Sequence, residues 1–402
     1  MLLSKPPENK DSPNGHDKRK KDLIDNLLRN EISIDQLKEL RNTINENDLS
    51  VIIQRIYDLN EKYILQLSVL DSTLRKLDDL KNSQRNKRFY EKIKNRFRDP
   101  DDPRKKNNKI ILAEGDSWFN YPIILTDVID RIAMEKNFAV YSLASGGDWL
   151  LNMLTARHYV EELSVLHPDV FLISGGGNDL VGSSRLAAVV QPTPGKEYAK
   201  NTWAVELISK ARQDIIPLNR QDFMTGVQYL SKDFIALLMF FNLQYFLLIT
   251  NILKSNKFTG IKIITQGYDY PIPSYYKGGL RIWNWYVPLI RKFFGHGSWL
   301  KTPLAMRGIV DPEMQRRILY AMIYLFNEMM IETGRIINYK FPGSVYHVDS
   351  RGSVGLKGWT DELHPMPKHF LRTGSVFVDC IRQTNPPAFD HVYLVQKTHP
   401  SK

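Results

Sequence analysis

Ser117, Asn178, Asp361 and His364 are the residues whose types and settings could carry a reaction. Ser117 follows Ile110-Ile111-Leu112-Ala113-Glu114-Gly115-Asp116. The apolar, β-branched start of that run reads as a buried strand. Its stop on Gly-Asp-Ser is a tight polar turn that would lift one hydroxyl above a sheet edge, where α/β proteins place their ligands. A single Ser in a turn is ordinarily there to satisfy the backbone. Three further stretches change that reading. Tyr141-Ser142-Leu143-Ala144-Ser145-Gly146-Gly147-Asp148 is a second strand ending on glycine. Asp169-Val170-Phe171-Leu172-Ile173-Ser174-Gly175-Gly176-Gly177-Asn178-Asp179 is a third, ending on Gly-Gly-Asn-Asp. Near the C-terminus, Asp361-Glu362-Leu363-His364-Pro365 sets a carboxylate and an imidazole three residues apart, so both can face the serine from one turn.

Together these four stretches resemble the signature blocks of the SGNH (GDSL-type) hydrolase family, in the family's order, and the resemblance covers about residues 109 to 375. It implies Ser117 as nucleophile, His364 as general base and acid, and Asp361 as the carboxylate that orients the imidazole. It also implies an oxyanion hole made of the backbone N–H of Ser117, the backbone N–H of Gly147 and the side-chain amide of Asn178. Gly146 competes with Gly147 for that place; Gly147 is favoured because the family's glycine commonly precedes an acidic or polar residue, here Asp148. The substrate implied is an acyl ester, with no metal or organic cofactor.

The chemistry asks for the same residue types. A serine hydroxyl is a poor nucleophile until a base within hydrogen-bond reach takes its proton, and the base needs a third group to fix its tautomer. The tetrahedral intermediate carries an oxyanion that must meet preorganised donors, each worth about 3 kcal/mol. Glycine lets the backbone approach closely, and Asn supplies a neutral donor.

Around that set, composition gives the bounds. With 402 residues and 43% hydrophobic content, the chain can bury one large core or two smaller ones. The single cysteine, Cys380, excludes an intramolecular disulfide and every multi-cysteine metal site, and favours a reducing compartment. Met1 to Lys21 lacks the continuous apolar core of a signal peptide, so a cytoplasmic protein is expected. His158, His167, His296 and His347 lack the i, i+4 spacing or cysteine partner of a metal site.

The elements that must position the site follow an expected order: a flexible basic tail over 1–21, a helical domain over 22–99, a linker over 100–108, the hydrolase-like domain over 109–385 with an insertion at 183–310, and a tail over 386–402. The fold expected is a three-layer α/β/α sandwich around a central parallel sheet, flavodoxin-like, preceded by an all-α domain. Within 22–99, Leu49, Ile53, Ile56, Asn60, Tyr63, Leu67, Leu70, Leu74 and Leu77 keep a four-three spacing, a coiled-coil seam with one polar position. A homo-oligomer or a protein partner through these helices is one reading, and packing against the preceding helices is another. Residues 81 to 109 hold twelve Lys or Arg against four Asp or Glu and supply much of the +11 net charge. An anionic surface, membrane or nucleic acid, could meet them, but few aromatics accompany them and no binding module does.

Inside the insertion, Phe234 to Leu253 is uncharged and long enough to cross a membrane. Its place between two expected strands of one sheet, with Asn242, Gln244 and Asn251 in it, favours a buried helix covering the sheet. Trp283, Trp285 and Tyr286 belong to an aromatic loop that either lines the acyl side of the site or forms a private mini-core. The two apolar features leave room for a lid and favour medium or long acyl chains. Two other outcomes stay open: an O-acyltransferase or carbohydrate deacetylase on the same site, or a basic helical interaction protein carrying a vestigial hydrolase domain.

Overall fold

The computed structural model describes residues 13–28, 33–43, 81–95, 97–99, 101–121, 126–181, 185–273 and 299–396. Six strands form one sheet: β1 (Lys109–Gly115), β2 (Phe138–Ser142), β3 (Val170–Ser174), β4 (Lys262–Gln266), β5 (Val345–Asp349) and β6 (Val392–Leu394). Their order is β2-β1-β3-β4-β5-β6, and every pairing is parallel. The first five strands follow the flavodoxin-like order, in which ligands bind outside the carboxyl ends of the strands where the order reverses. That point lies between β1 and β3. The fold is the α/β class expected.

Both faces of the sheet are covered. β3 is buried at every position and β1 at every position after Lys109, which a sheet with one wet face does not allow. Helix α4 (Val128–Ala133) packs against α10 (Pro367–Arg382), while α8 (Lys232–Lys254) packs against α9 (Pro312–Lys340) and against α5 (Leu150–Ala156). α9 begins on Asp311, whose carboxylate accepts from Met314 N–H at 2.9 Å, with Pro312 in the first turn. Short α7 (Arg220–Val227) reaches α9 at closest approach through Gly226, where a Cβ would stand 1.9 Å from the Arg317 carbonyl.

α8 is long and apolar enough to cross a membrane, yet 17 of its 23 residues are buried inside the protein. Two of its polar residues have internal partners: Asn242 Nδ2 donates to Thr333 Oγ1 at 2.6 Å, and Tyr245 OH donates to the Gly175 carbonyl at 2.8 Å. α8 is therefore a core helix, not part of a lid, and it lends no support to a long acyl chain.

Before the sheet, α1 (Pro13–Leu28) and α2 (Ile34–Thr43) touch each other and α8, burying Leu23, Ile24 and Leu40 in the main core. α1 starts within the stretch read as a tail, because polar residues extend the helix upstream of its first apolar anchor. The four-three seam from Leu49 to Leu77, with Asn60, lies outside the described residues. α3 (81–94) lies along the outer edge of β2. Asn86 accepts from Ser142 N–H at 2.9 Å and donates to the Ser142 carbonyl at 3.0 Å, as a neighbouring strand would. Asn82 donates to the Ala144 carbonyl and Lys92 Nζ to the Phe138 carbonyl. Part of the basic run is thus turned inward. Lys81 and Arg85 pair with Asp127 and Asp130, and Arg98 pairs with Asp169. At the other end, β6 lies within 386–402, the stretch read as a tail; three residues are too few to show a period in sequence.

Candidate active site

The carboxyl ends of β1, β3 and β5 bring the site together. β1 ends at Gly115, and the chain turns at once through Asp116-Ser117. The Asp116 carbonyl accepts from the N–H groups of Phe119 and Asn120, each at 3.0 Å. Asn120 Nδ2 then donates to the Ala144 carbonyl at 2.9 Å, and Arg85 Nη1 donates to the Phe119 carbonyl at 3.1 Å. The turn is tied both to the end of β2 and to α3. Gly115 has no room for a side chain, since a Cβ would lie 2.9 Å from the Ser174 carbonyl of β3.

His364 comes from the loop after β5. Its Nε2 stands 2.7 Å from Ser117 Oγ, and its Nδ1 stands 2.8 and 2.9 Å from the two Asp361 carboxylate oxygens. The network assigns the tautomer: Nδ1–H donates to Asp361, leaving Nε2 to accept the serine proton. Asp361 Oδ1 also accepts the backbone N–H groups of Leu363 and His364, both at 2.8 Å, and Oδ2 accepts Tyr121 OH at 3.1 Å. Burial alone would raise the Asp361 carboxyl. The His364 ring and these donors outweigh it and hold the group below its ordinary value.

The imidazole has two aromatic neighbours. Tyr121 lies with its ring centroid 4.5 Å away, and Trp299 stands perpendicular at 6.3 Å. Glu362, buried between Asp361 and His364, accepts the N–H groups of Leu300 and Lys301 at 2.9 and 3.2 Å. Trp299 is thereby fastened beside the imidazole.

The donors named for an oxyanion sit at two adjoining turns. Gly147 has φ +83, the left-handed region where a side chain is strained. Asn178 follows β3 in the short helix α6 (Gly177–Val181), and one of its two amide hydrogens goes to the Asp148 carbonyl at 2.9 Å. That bond links Asn178 to the residue after Gly147 and leaves the second amide hydrogen for a ligand. Beside them Glu114 is held well above its ordinary value by burial and by Asp148, and Asp179 is pushed up to about 6 by burial.

Ser117, Asp361 and His364 are thus joined by hydrogen bonds, and Gly147 and Asn178 are brought to one place. Trp283, Trp285 and Tyr286 lie outside the described residues. Tyr121 and Glu362 were missed in sequence, though both stand within the stretches that carry the site, and Trp299 was read only as part of the aromatic loop of the insertion. Among the described residues no group of three His, Cys, Asp or Glu side chains is arranged for a metal ion. His347, set aside above as a metal ligand, is buried with Nδ1 2.8 Å from Thr265 Oγ1 and is pushed down to about 3 by burial.

The fold and the site define a doubly wound α/β protein with a Ser–His–Asp chain at the carboxyl end of its sheet. No family model matches the sequence, and no curated relative matches it. A solved structure, a candidate GDSL-like lipase from Parabacteroides merdae, is similar over 67% of this chain and 94% of that chain, at 12% identity and a TM-score of 0.28.

Proposed function

We propose that the protein is a serine ester hydrolase working through an acyl-enzyme. The observation that carries this reading is the unbroken chain Ser117 Oγ, His364 Nε2, His364 Nδ1, Asp361, with every link between 2.7 and 2.9 Å. Such a chain supplies what a serine hydroxyl lacks: a neutral base in contact with it, and an anion to hold that base and stabilise its cation. In the first half-reaction Ser117 Oγ attacks the ester carbonyl carbon while His364 Nε2 takes the hydroxyl proton. The oxyanion is met by N–H groups of Ser117 and Gly147 and by the Asn178 amide. Collapse of the intermediate breaks the bond to the alcohol oxygen, and His364 returns the proton to the departing alcohol. Water repeats the sequence on the acyl-enzyme, releasing the acid and restoring Ser117.

Two measurements test this. A fluorophosphonate probe should label the protein with one equivalent per chain at Ser117, and the label should be absent from Ser117→Ala; absence of labelling on folded wild type would sink the reading. A panel of nitrophenyl esters from acetyl upward then reports the acyl preference. The Asn178 amide acts mainly in the transition state, so Asn178→Ala should lower kcat about a hundredfold or more with little change in KM. An effect confined to KM would remove Asn178 from the oxyanion hole.

A further inference from the structure

The nucleophile turn and the oxyanion turn come from different strands, and one side chain touches both. Tyr268, two residues beyond β4, donates its hydroxyl hydrogen to Asp116 Oδ2 at 2.5 Å and accepts the Gly177 N–H at 3.2 Å. Asp116 immediately precedes Ser117, and Gly177 immediately precedes Asn178. The Tyr268 ring fills the space beside Gly177, where a Cβ would lie 3.0 Å from it, and meets Trp118 edge-on at 5.5 Å. Asn327 Nδ2 holds the Tyr268 carbonyl at 3.1 Å. Asp116 Oδ1 takes the Trp118 N–H at 3.0 Å and Ser174 Oγ at 3.2 Å.

We propose that Tyr268 is a positioning residue that keeps Ser117 and the oxyanion donors in register, by bridging Asp116 and Gly177 through one hydroxyl. This rests on the serine hydrolase reading of Ser117. Serine attack and oxyanion capture occur on the two sides of one carbonyl, so a small drift between the turns costs rate without costing affinity. The bridge has its acceptor at full strength when Asp116 is ionised. Burial pushes that carboxyl up to about 6, and the hydrogen bonds from Tyr268, Trp118 and Ser174 oppose the rise. The titratable or polar groups facing it are Tyr268 after β4, Tyr245 from α8, Ser174 from β3 and His364 from the catalytic loop. Loss of the Tyr268 donor moves the Asp116 titration to higher pH, because only the charged form gains from that bond.

The test is Tyr268→Phe, which keeps the ring and removes the hydroxyl, assayed for kcat and KM across pH on a nitrophenyl ester beside Ser117→Ala, with thermal unfolding as the check on folding. The expected result is a kcat lower by about thirtyfold or more near neutral pH, KM within about threefold, and an acid limb of kcat displaced upward. Asp116→Ala, which takes the acceptor away, should lower kcat similarly, and the double variant should lose no more than the worse single one, since both remove the same bridge. A folded Tyr268→Phe with kcat within about threefold of wild type, an unmoved acid limb, or KM rising in parallel overturns the proposal. Should Tyr268→Phe not fold, wild-type kcat in Asp116→Ala overturns it instead. Activity retained in Ser117→Ala would defeat the hydrolase reading itself, whereas an inactive Ser117→Ala beside a fully active Tyr268→Phe defeats the bridge alone.

Discussion

Ser117→Ala should lose about three orders of magnitude or more in kcat on any ester the protein cleaves, and His364→Ala should lose about the same. The double variant should be little worse than either. Once Oγ is gone there is no proton for Nε2 to accept, and once the imidazole is gone the hydroxyl at 2.7 Å has no base. Losses that add in the double variant would mean that the two groups act separately, and the 2.7 Å contact would then be structural. The fluorophosphonate label separates chemistry from folding, because it reads the nucleophile without depending on turnover.

The second large effect is on stability. Arg351 opens the loop that carries Asp361 and His364, and it is buried with both its acids: Nη2 stands 2.6 Å from Asp349 and Nη1 2.7 Å from Glu328. Its guanidinium also lies 4.7 Å from the Tyr324 ring centroid. Burial alone would raise Asp349, but the cation outweighs it and holds that carboxyl below its ordinary value; Glu328 stays raised by burial. Arg351→Leu should destabilise the protein by about 3–5 kcal/mol in urea unfolding, because two carboxyls lose their buried counter-charge. Adding Glu328→Gln should return part of the loss by removing one of the stranded charges. A change below about 1 kcal/mol would show that the acids find water or protons at little cost. The same loop is fixed by Asp269, whose carboxylate accepts the N–H groups of Gly352 and Val354, both at 2.6 Å.

The serine, histidine and aspartate were legible because each sits in a short local pattern whose chemistry needs those residue types. β1 and β3 were legible because their burial on both faces leaves an unbroken apolar run. Other features left no such trace. Tyr268 reaches Asp116 across 152 positions, and Asn86 reaches Ser142 across 56, and neither contact repeats with any period. Arg85 was read as one charge in a basic run. Its role is set by Asp127 and Asp130, more than forty residues away. The length and composition of α8 allowed a membrane span or a lid beside the buried helix that its place in the sequence favoured; its contacts with α9 and α5 decide.

α3 bears on how the chain comes to fold. A parallel sheet under construction carries a bare edge that invites a strand from another molecule. Here the side chains of Asn82, Asn86 and Lys92 occupy that edge along β2. Synthesis runs from the N-terminus, so residues 81–94 leave the ribosome ahead of β1 and β2. The guard exists before the edge it guards, and the sheet is left to grow only away from β2, toward the strands still to be made.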